Sequence, residues 1–258
     1  MQETAPDPAI EFKEVSYAIG GEPLLRSFSL LVHPGEILVL LGRSGSGKTT
    51  SLKLINRLVS PSSGEILVHG MPNSQTDLIQ LRRGIGYVIQ DVGLFPHLTV
   101  EKNIALVPRM QGWTAERIRA RIQQMLKLVG LSQEMGSRYP HQLSGGQRQR
   151  VGVARALAAD PEIVLMDEPF GALDPLTRDE LQREFLSLQK ELRKTVVFVT
   201  HDLREAMLMG SRIALLEAGK LVVVLNPREF LHSDDPLASA YVRAFGDGLE
   251  SIANRGES

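Results

Sequence analysis

Three stretches are apolar over strand length without a polar break: ILVLL (Ile37–Leu41), EIVLMD (Glu162–Asp167) and TVVFVT (Thr195–Thr200). A strand with one wet face alternates, whereas a strand apolar at every step is covered on both faces. With helical stretches between them (Lys48–Leu58 and Leu176–Leu192), these runs predict a mainly parallel sheet flanked by helices. The early part reads differently. IEFKEV, SFSLLV and GEILVHG are near-alternating and are split by the turn sequences GGEP and SPSSG, which predicts an antiparallel β layer on the N-terminal side. From Asp91 to Asp160 the pattern becomes helical. In ERIRARIQQMLKLVGL, Ile118, Ile122, Met125 and Val129 share one face, and Arg117, Arg119 and Arg121 read as a solvated one. The expectation is an α/β domain over 10–246 with an α-helical subdomain inserted at about 91–160. Short tails flank it at 1–9, flexible, and 247–258, polar.

Composition narrows the class without naming it. At 258 residues, 43% hydrophobic and 23% charged, the chain suits a soluble α/β domain. A formal net charge of −1 gives no electrostatic footprint for nucleic acid. The absence of cysteine excludes disulfides, thiolate zinc sites and cysteine nucleophiles. The opening MQETAPDPA is acidic and proline-broken where a signal peptide is basic and then apolar. The longest apolar runs, ILVLL and LVVVL, are far short of about 18 residues, so no membrane crossing is expected of this sequence.

The chemistry concentrates in three motifs. GRSGSGKTT supplies Gly42, Arg43, Ser44, Gly45, Ser46, Gly47, Lys48, Thr49 and Thr50, and fits G-x-x-x-x-G-K-[ST] between a strand and a helix. This is the phosphate loop of a P-loop NTPase. Its backbone N–H groups wrap the β-phosphate, Lys48 bridges the β- and γ-phosphates, and the Thr49 hydroxyl is a hard ligand for Mg²⁺. The run IVLMDE ends on adjacent carboxylates. Asp167 is placed to hold Mg²⁺ through water and Glu168 to polarise an attacking water, the alternative being a solvated strand end. The third motif, LSGGQRQR, sets Ser144, Gly145, Gly146 and Gln147 at a helix start, where close backbone approach and the helix dipole both favour an anion.

Together with Gln90 after an apolar strand, GALD and His201 after TVVFVT, these motifs appear in the order found in ATP-binding-cassette (ABC) transporter ATPases. The chain resembles that family from Ile10 to Gly246. The resemblance implies a role for each matching position. Tyr17 corresponds to the aromatic residue that stacks on adenine, the lesser alternative being an edge-strand tyrosine. Gln90 touches Mg²⁺ and the water, Asp174 couples two sites, and His201 contacts the γ-phosphate. It further implies a head-to-tail pair, with a second copy or a close paralogue, in which Ser144, Gly145 and Gly146 of one chain close over ATP held by Lys48 of the other. The remaining histidines, His33, His69, His97, His141 and His232, have no metal spacing.

DEPFGALDPLTR resembles importer ATPases, and INRLVSPSSGEI, IGYVIQDVGLFPHLTVEKNIALVPRMQGW and RYPHQLSGGQRQRVGVARALAADP are similar to those for quaternary amines such as glycine betaine, choline and carnitine. The resemblance implies permease subunits in the membrane, an extracytoplasmic binding protein acting indirectly, and residence on the cytoplasmic face. Many members carry paired nucleotide-sensing (CBS) modules after the motor. None occurs before Ser258, so regulation through them is not expected of this sequence, and other importers of amino acids, osmolytes or lipids stay open. A soluble ABC ATPase of repair or translation is the competing class, but such proteins usually have two cassettes or long coiled-coil insertions. In VGLFPHLTV, Leu94, Phe95 and Leu98 offer either a groove for a permease helix or the core of the insert.

Overall fold

The computed structural model describes residues 7–90, 92–171 and 173–245. In chain order the strands are β1 (Ile10–Ile19), β2 (Glu22–Val32), β3 (Ile37–Leu41), β4 (Ser63–Val68), β5 (Met71–Pro72), β6 (Ile85–Val88), β7 (Ile163–Asp167), β8 (Thr195–Thr200), β9 (Arg212–Glu217) and β10 (Lys220–Leu225). The helices are α1 (Lys48–Ile55), α2 (Leu78–Gly84), α3 (Val100–Ile104), α4 (Leu106–Met110), α5 (Ala115–Leu128), α6 (Gly145–Leu157), α7 (Pro175–Leu192), α8 (Leu203–Met209), α9 (Pro227–Leu231) and α10 (Pro236–Phe245). The described residues fall into two compact units, one built from 7–81 and 195–245, the other from the described part of 82–194. No helix among the described residues is long and apolar enough to cross a membrane.

In the first unit, β3 runs parallel to β8 on one side and β9 on the other, and β10 closes that edge antiparallel to β9. Every residue of β3 and of β8 is buried, as their unbroken apolar runs require. The alternating early segments form a separate antiparallel layer in the order β2-β1-β4-β5. Ala9, expected in the N-terminal tail, is instead buried. Its N–H donates to Val32 and its carbonyl accepts from His69, so the layer already includes it. The rest of that tail before residue 7, and the C-terminal tail, lie outside the described residues. Helix α1 stops three residues short of the expected Leu58. Arg57 enters the left-handed region at φ 51°, and the Leu58 N–H turns back to the Lys53 carbonyl, a Schellman closure. The Arg57 guanidinium holds that turn by donating to the Asn73 and Thr76 carbonyls.

The second unit is broader than the 91–160 insert expected from helical pattern, because it also contains the parallel pair β6–β7 and the long helix α7. Ile118, Met125 and Val129 are buried as the period predicts, while Ile122 is half-buried. Of the three arginines on α5, Arg117 is exposed and lies over the Trp113 ring at 3.5 Å, and Arg119 is exposed. Arg121 departs from the solvated-face expectation. It donates to the Leu157 and Ala158 carbonyls, closing the C-terminus of α6, and pairs with Asp160.

Candidate functional site

The phosphate loop leaves the C-terminal end of β3, and each of its glycines has a different reason. Gly42 is buried, and a Cβ there would lie 2.6 Å from Ser46 Oγ. Gly47 adopts φ 103°, and a Cβ would meet Leu25 at 2.6 Å. Gly45 adopts φ 82° with open space where a side chain would stand. Lys48 is 5% exposed and its Nζ donates to the Gly42 and Arg43 carbonyls at 2.7 and 2.8 Å. Ser46 Oγ is buried without a hydrogen-bond partner inside this cradle. Arg43, Ser44 and Gly45 are exposed at its lip, while Thr49 and Thr50 are half-buried at the start of α1.

Two further expected residues share this unit. Tyr17 pairs across the sheet with Leu25, the residue packed against Gly47, and it is half-buried. Its strand lies between β2 and β4, and the register with β4 ends one residue earlier, at Ser16. His201 follows Thr200, which is in register with Leu41, so His201 and Gly42 each stand one residue beyond a paired strand end. The chain at His201 is pinned on both sides. The Thr200 hydroxyl donates to the buried Glu205 carboxylate at 2.6 Å and accepts from the Asp202 N–H at 3.0 Å, while Asp202 caps α8 through the Arg204 N–H. This clamp had no signal in the sequence beyond an acidic residue in an apolar helix.

The second unit carries the other candidates. Val88 is in register with Met166, so Gln90 and Asp167 stand at the same C-terminal end of the parallel β6–β7 pair. Asp167 is 6% exposed, and Gln90 is exposed. Burial first, and then the Asp167 charge, push the Tyr87 hydroxyl well above the ordinary tyrosine range, which keeps it protonated beside that carboxylate. Glu168 is half-buried and adopts φ 43°, a left-handed backbone that costs a residue with a Cβ about 1–3 kcal/mol.

Ser144 is the N-cap of α6 in a complete capping box. Its Oγ accepts from the Gln147 N–H, and the Gln147 side chain accepts from the Ser144 N–H. A Cβ on Gly145 would meet nothing closer than Arg148 at 3.9 Å, whereas one on Gly146 would fall 2.5 Å from the Thr177 methyl. Gly145 therefore leaves open surface, and Gly146 is glycine because α7 packs against it. Asp174 caps α7 by accepting from the Thr177 N–H, and hydrogen bonding from Thr177 holds its carboxyl below the ordinary range. Within this unit the structure thus brings LSGGQ and Asp174 together through Thr177, a contact the sequence did not reveal. Phe95 is 42% exposed, which removes it from the insert's core, and Leu94 and Leu98 are half-buried beside it.

Comparison with known proteins supplies the context. Residues 25–171 match the family model described as ABC transporter. The chain is 51% identical over 226 residues to the glycine betaine/carnitine/choline transport ATP-binding protein OpuCA of Bacillus subtilis (strain 168), covering 88% of this chain and 59% of that protein. It therefore spans less than two thirds of the length of that relative. It is 48% identical over 236 residues to the glycine betaine uptake system ATP-binding protein YehX of Escherichia coli (strain K12), covering 92% of this chain and 76% of the relative. Among solved structures, a dimeric post-hydrolysis ATP-binding cassette, MJ0796 with ADP and Pi, superposes with a TM-score of 0.76 at 36% identity, over 84% of this chain and 98% of the other. CbiO1 from Clostridium perfringens, part of an ABC transporter complex, gives 0.81 at 28% identity over 98% and 100%.

Proposed function

The chain belongs to the ABC transporter family, and on that premise we propose that it is the ATP-hydrolysing motor of an importer for quaternary-amine osmoprotectants. It works as a pair of copies, or with a close paralogue, through a separate permease that holds it at the cytoplasmic face of the membrane and receives solute from a binding protein. The observation that carries this reading is the phosphate loop. A glycine cradle, a buried Ser46 hydroxyl lacking a partner and a lysine resting on carbonyls are what a triphosphate needs.

On nucleotide binding Lys48 exchanges two carbonyls for phosphate oxygens, and Tyr17 stacks on the adenine. Thr49, Gln90 and Asp167 are the hard oxygen donors that would hold Mg²⁺, which when bound neutralises charge on the phosphates. Glu168 polarises the attacking water, and His201 contacts the γ-phosphate from the pinned turn after β8. Ser144, Gly145 and Gly146 of one copy meet the phosphate held by Lys48 of a second copy, so ATP joins the pair and hydrolysis releases it. Support for the solute class comes from the named transport roles of OpuCA and YehX.

Mixing two dead variants tests the pairing. A Lys48→Ala chain and a Ser144→Arg chain, each in a Glu168→Gln background, should occlude almost no MgATP alone. Their mixed dimer gathers both lesions in one site and leaves the other intact, so it should trap about one nucleotide per dimer, because a two-fold arrangement repeats each contact with the chains exchanged. No gain in occlusion, with heterodimers shown to be present, would end the composite-site reading.

A further inference from the structure

Helix α6 does more than present Ser144. Arg148, Gly152 and Arg155 share one face of it, beneath the N-cap. On that face the Arg155 guanidinium donates to the Val92 carbonyl at 2.6 Å and to the Gly93 carbonyl at 2.7 Å. One turn earlier, Gly152 is open to the same segment, since a Cβ there would stand 2.5 Å from Val92 Cγ1. Burial lowers the Arg155 pKa, the mark of a cation taken largely out of water and held by those carbonyls. The loop just beyond is tied in turn. Asn103, fully buried, accepts from the Phe95 N–H and donates to the Phe95, Leu98 and Thr99 carbonyls.

We propose that Arg155 and Gly152 make the LSGGQ helix and the Val92–Leu98 segment one moving part, so that Arg155 is a positioning residue linking Ser144 to the exposed surface at Phe95. The inference rests on the function proposed above. Ser144 and Arg155 are eleven positions apart on one rigid helix, about 16 Å along its axis. A displacement at the phosphate-facing end is therefore delivered at the Arg155 end. There the two-donor fork, unlike a single bond, fixes both the position and the direction of the segment it grips.

The test is hydrogen exchange on the full Glu168→Gln chain with and without MgATP, read in residues 143–150 and 92–98. The second window contains the hydrogen-bonded N–H groups of Phe95 and Leu98, which give measurable protection. In the parent, MgATP should slow exchange several-fold in both windows. Arg155→Met, or Arg155→Lys should the former not fold, should keep the response at 143–150 and lose it at 92–98. Gly152→Ala should uncouple the windows in the same way, and adding Val92→Ala, which removes the obstructing methyl, should restore the second response. Thermal melts of the single and double variants, and unchanged exchange outside the two windows, separate loss of the link from a general loss of stability. Retention of both responses in the Arg155 variants, or failure of Val92→Ala to rescue, overturns the link. A parent that responds at 143–150 but not at 92–98 overturns it too. A parent silent at 143–150 instead overturns the composite-site reading, and the link with it.

Discussion

Substituting Ser144 separates two duties that one hydroxyl performs. Within the chain, Ser144 Oγ accepts the Gln147 N–H at 3.2 Å and caps a 13-residue helix. Ser144→Ala leaves that N–H without its partner and should cost about 0.5–2 kcal/mol. For domains of 150–250 residues each kcal/mol lowers Tm by about 2–4 °C, so a small but measurable drop is expected. Ser144→Asp keeps the acceptor and adds a negative charge at the positive end of α6, worth about 0.3–1 kcal/mol, so it should melt no lower than the parent. The same carboxylate would face the γ-phosphate of the second copy. At about 5 Å and an effective dielectric of about 20, two like charges repel by roughly 3 kcal/mol, which weakens pairing a hundredfold or more. Thermal melts, and light scattering of the MgATP-induced dimer in a Glu168→Gln background, read the two duties separately. An Ser144→Asp chain that is stable and still dimerises like its parent would refute the placement of Ser144 at a phosphate.

Glu168→Gln keeps shape and hydrogen bonding but loses the charge, so it should bind MgATP normally and lose about 10²–10⁴-fold in turnover; near-normal phosphate release would reject the assignment. Tyr17→Ala should weaken ATP binding by about 1–3 kcal/mol in a titration while Tyr17→Phe is nearly silent; equal affinities would return Tyr17 to a packing role. Phe95, 42% exposed, should tolerate Phe95→Asp with unchanged melting and basal ATPase but without co-purification of the permease; a chain that unfolds, or that still binds the permease, would remove the docking surface.

What was legible in the sequence was what short-range physics fixes. The runs now seen as β3, β7 and β8 had no polar position to spare, and their limits agree with the expected ones to within a residue. The phosphate loop was legible because its spacing is the chemistry. The contacts that escaped notice join residues remote in the chain. Arg121 looked like one of three surface arginines until α6 ended against it. Gly146 looked like a glycine for a ligand, whereas the Thr177 methyl already requires it. Arg155 lies 63 positions from Val92, and no period on α6 distinguishes an arginine that grips a loop from one in water. The end of α1 escaped for another reason, since a left-handed arginine at residue 57 gives no glycine to announce it.

The two glycine-rich motifs differ in a way that their caps explain. Helix α1 begins after Gly47, which has no side chain to cap it, so the positive end of its dipole meets backbone alone. Helix α6 begins after Ser144 with a full capping box, so its first turn is closed by a neutral hydroxyl and the positive end of the helix dipole remains. Helix α7 begins after Asp174, whose carboxylate closes the turn and cancels that positive end. An uncapped terminus binds a phosphate deeply and by backbone; a hydroxyl-capped one can meet a phosphate already held elsewhere; a carboxylate-capped one repels it. Gly146, two residues after the hydroxyl cap, packs on Thr177, three residues after the carboxylate cap, so the first turns of the two helices meet. In the pairing proposed above, a second copy presenting its triphosphate would be attracted at Ser144 and turned away at Asp174, which would give that pairing a direction as well as an affinity.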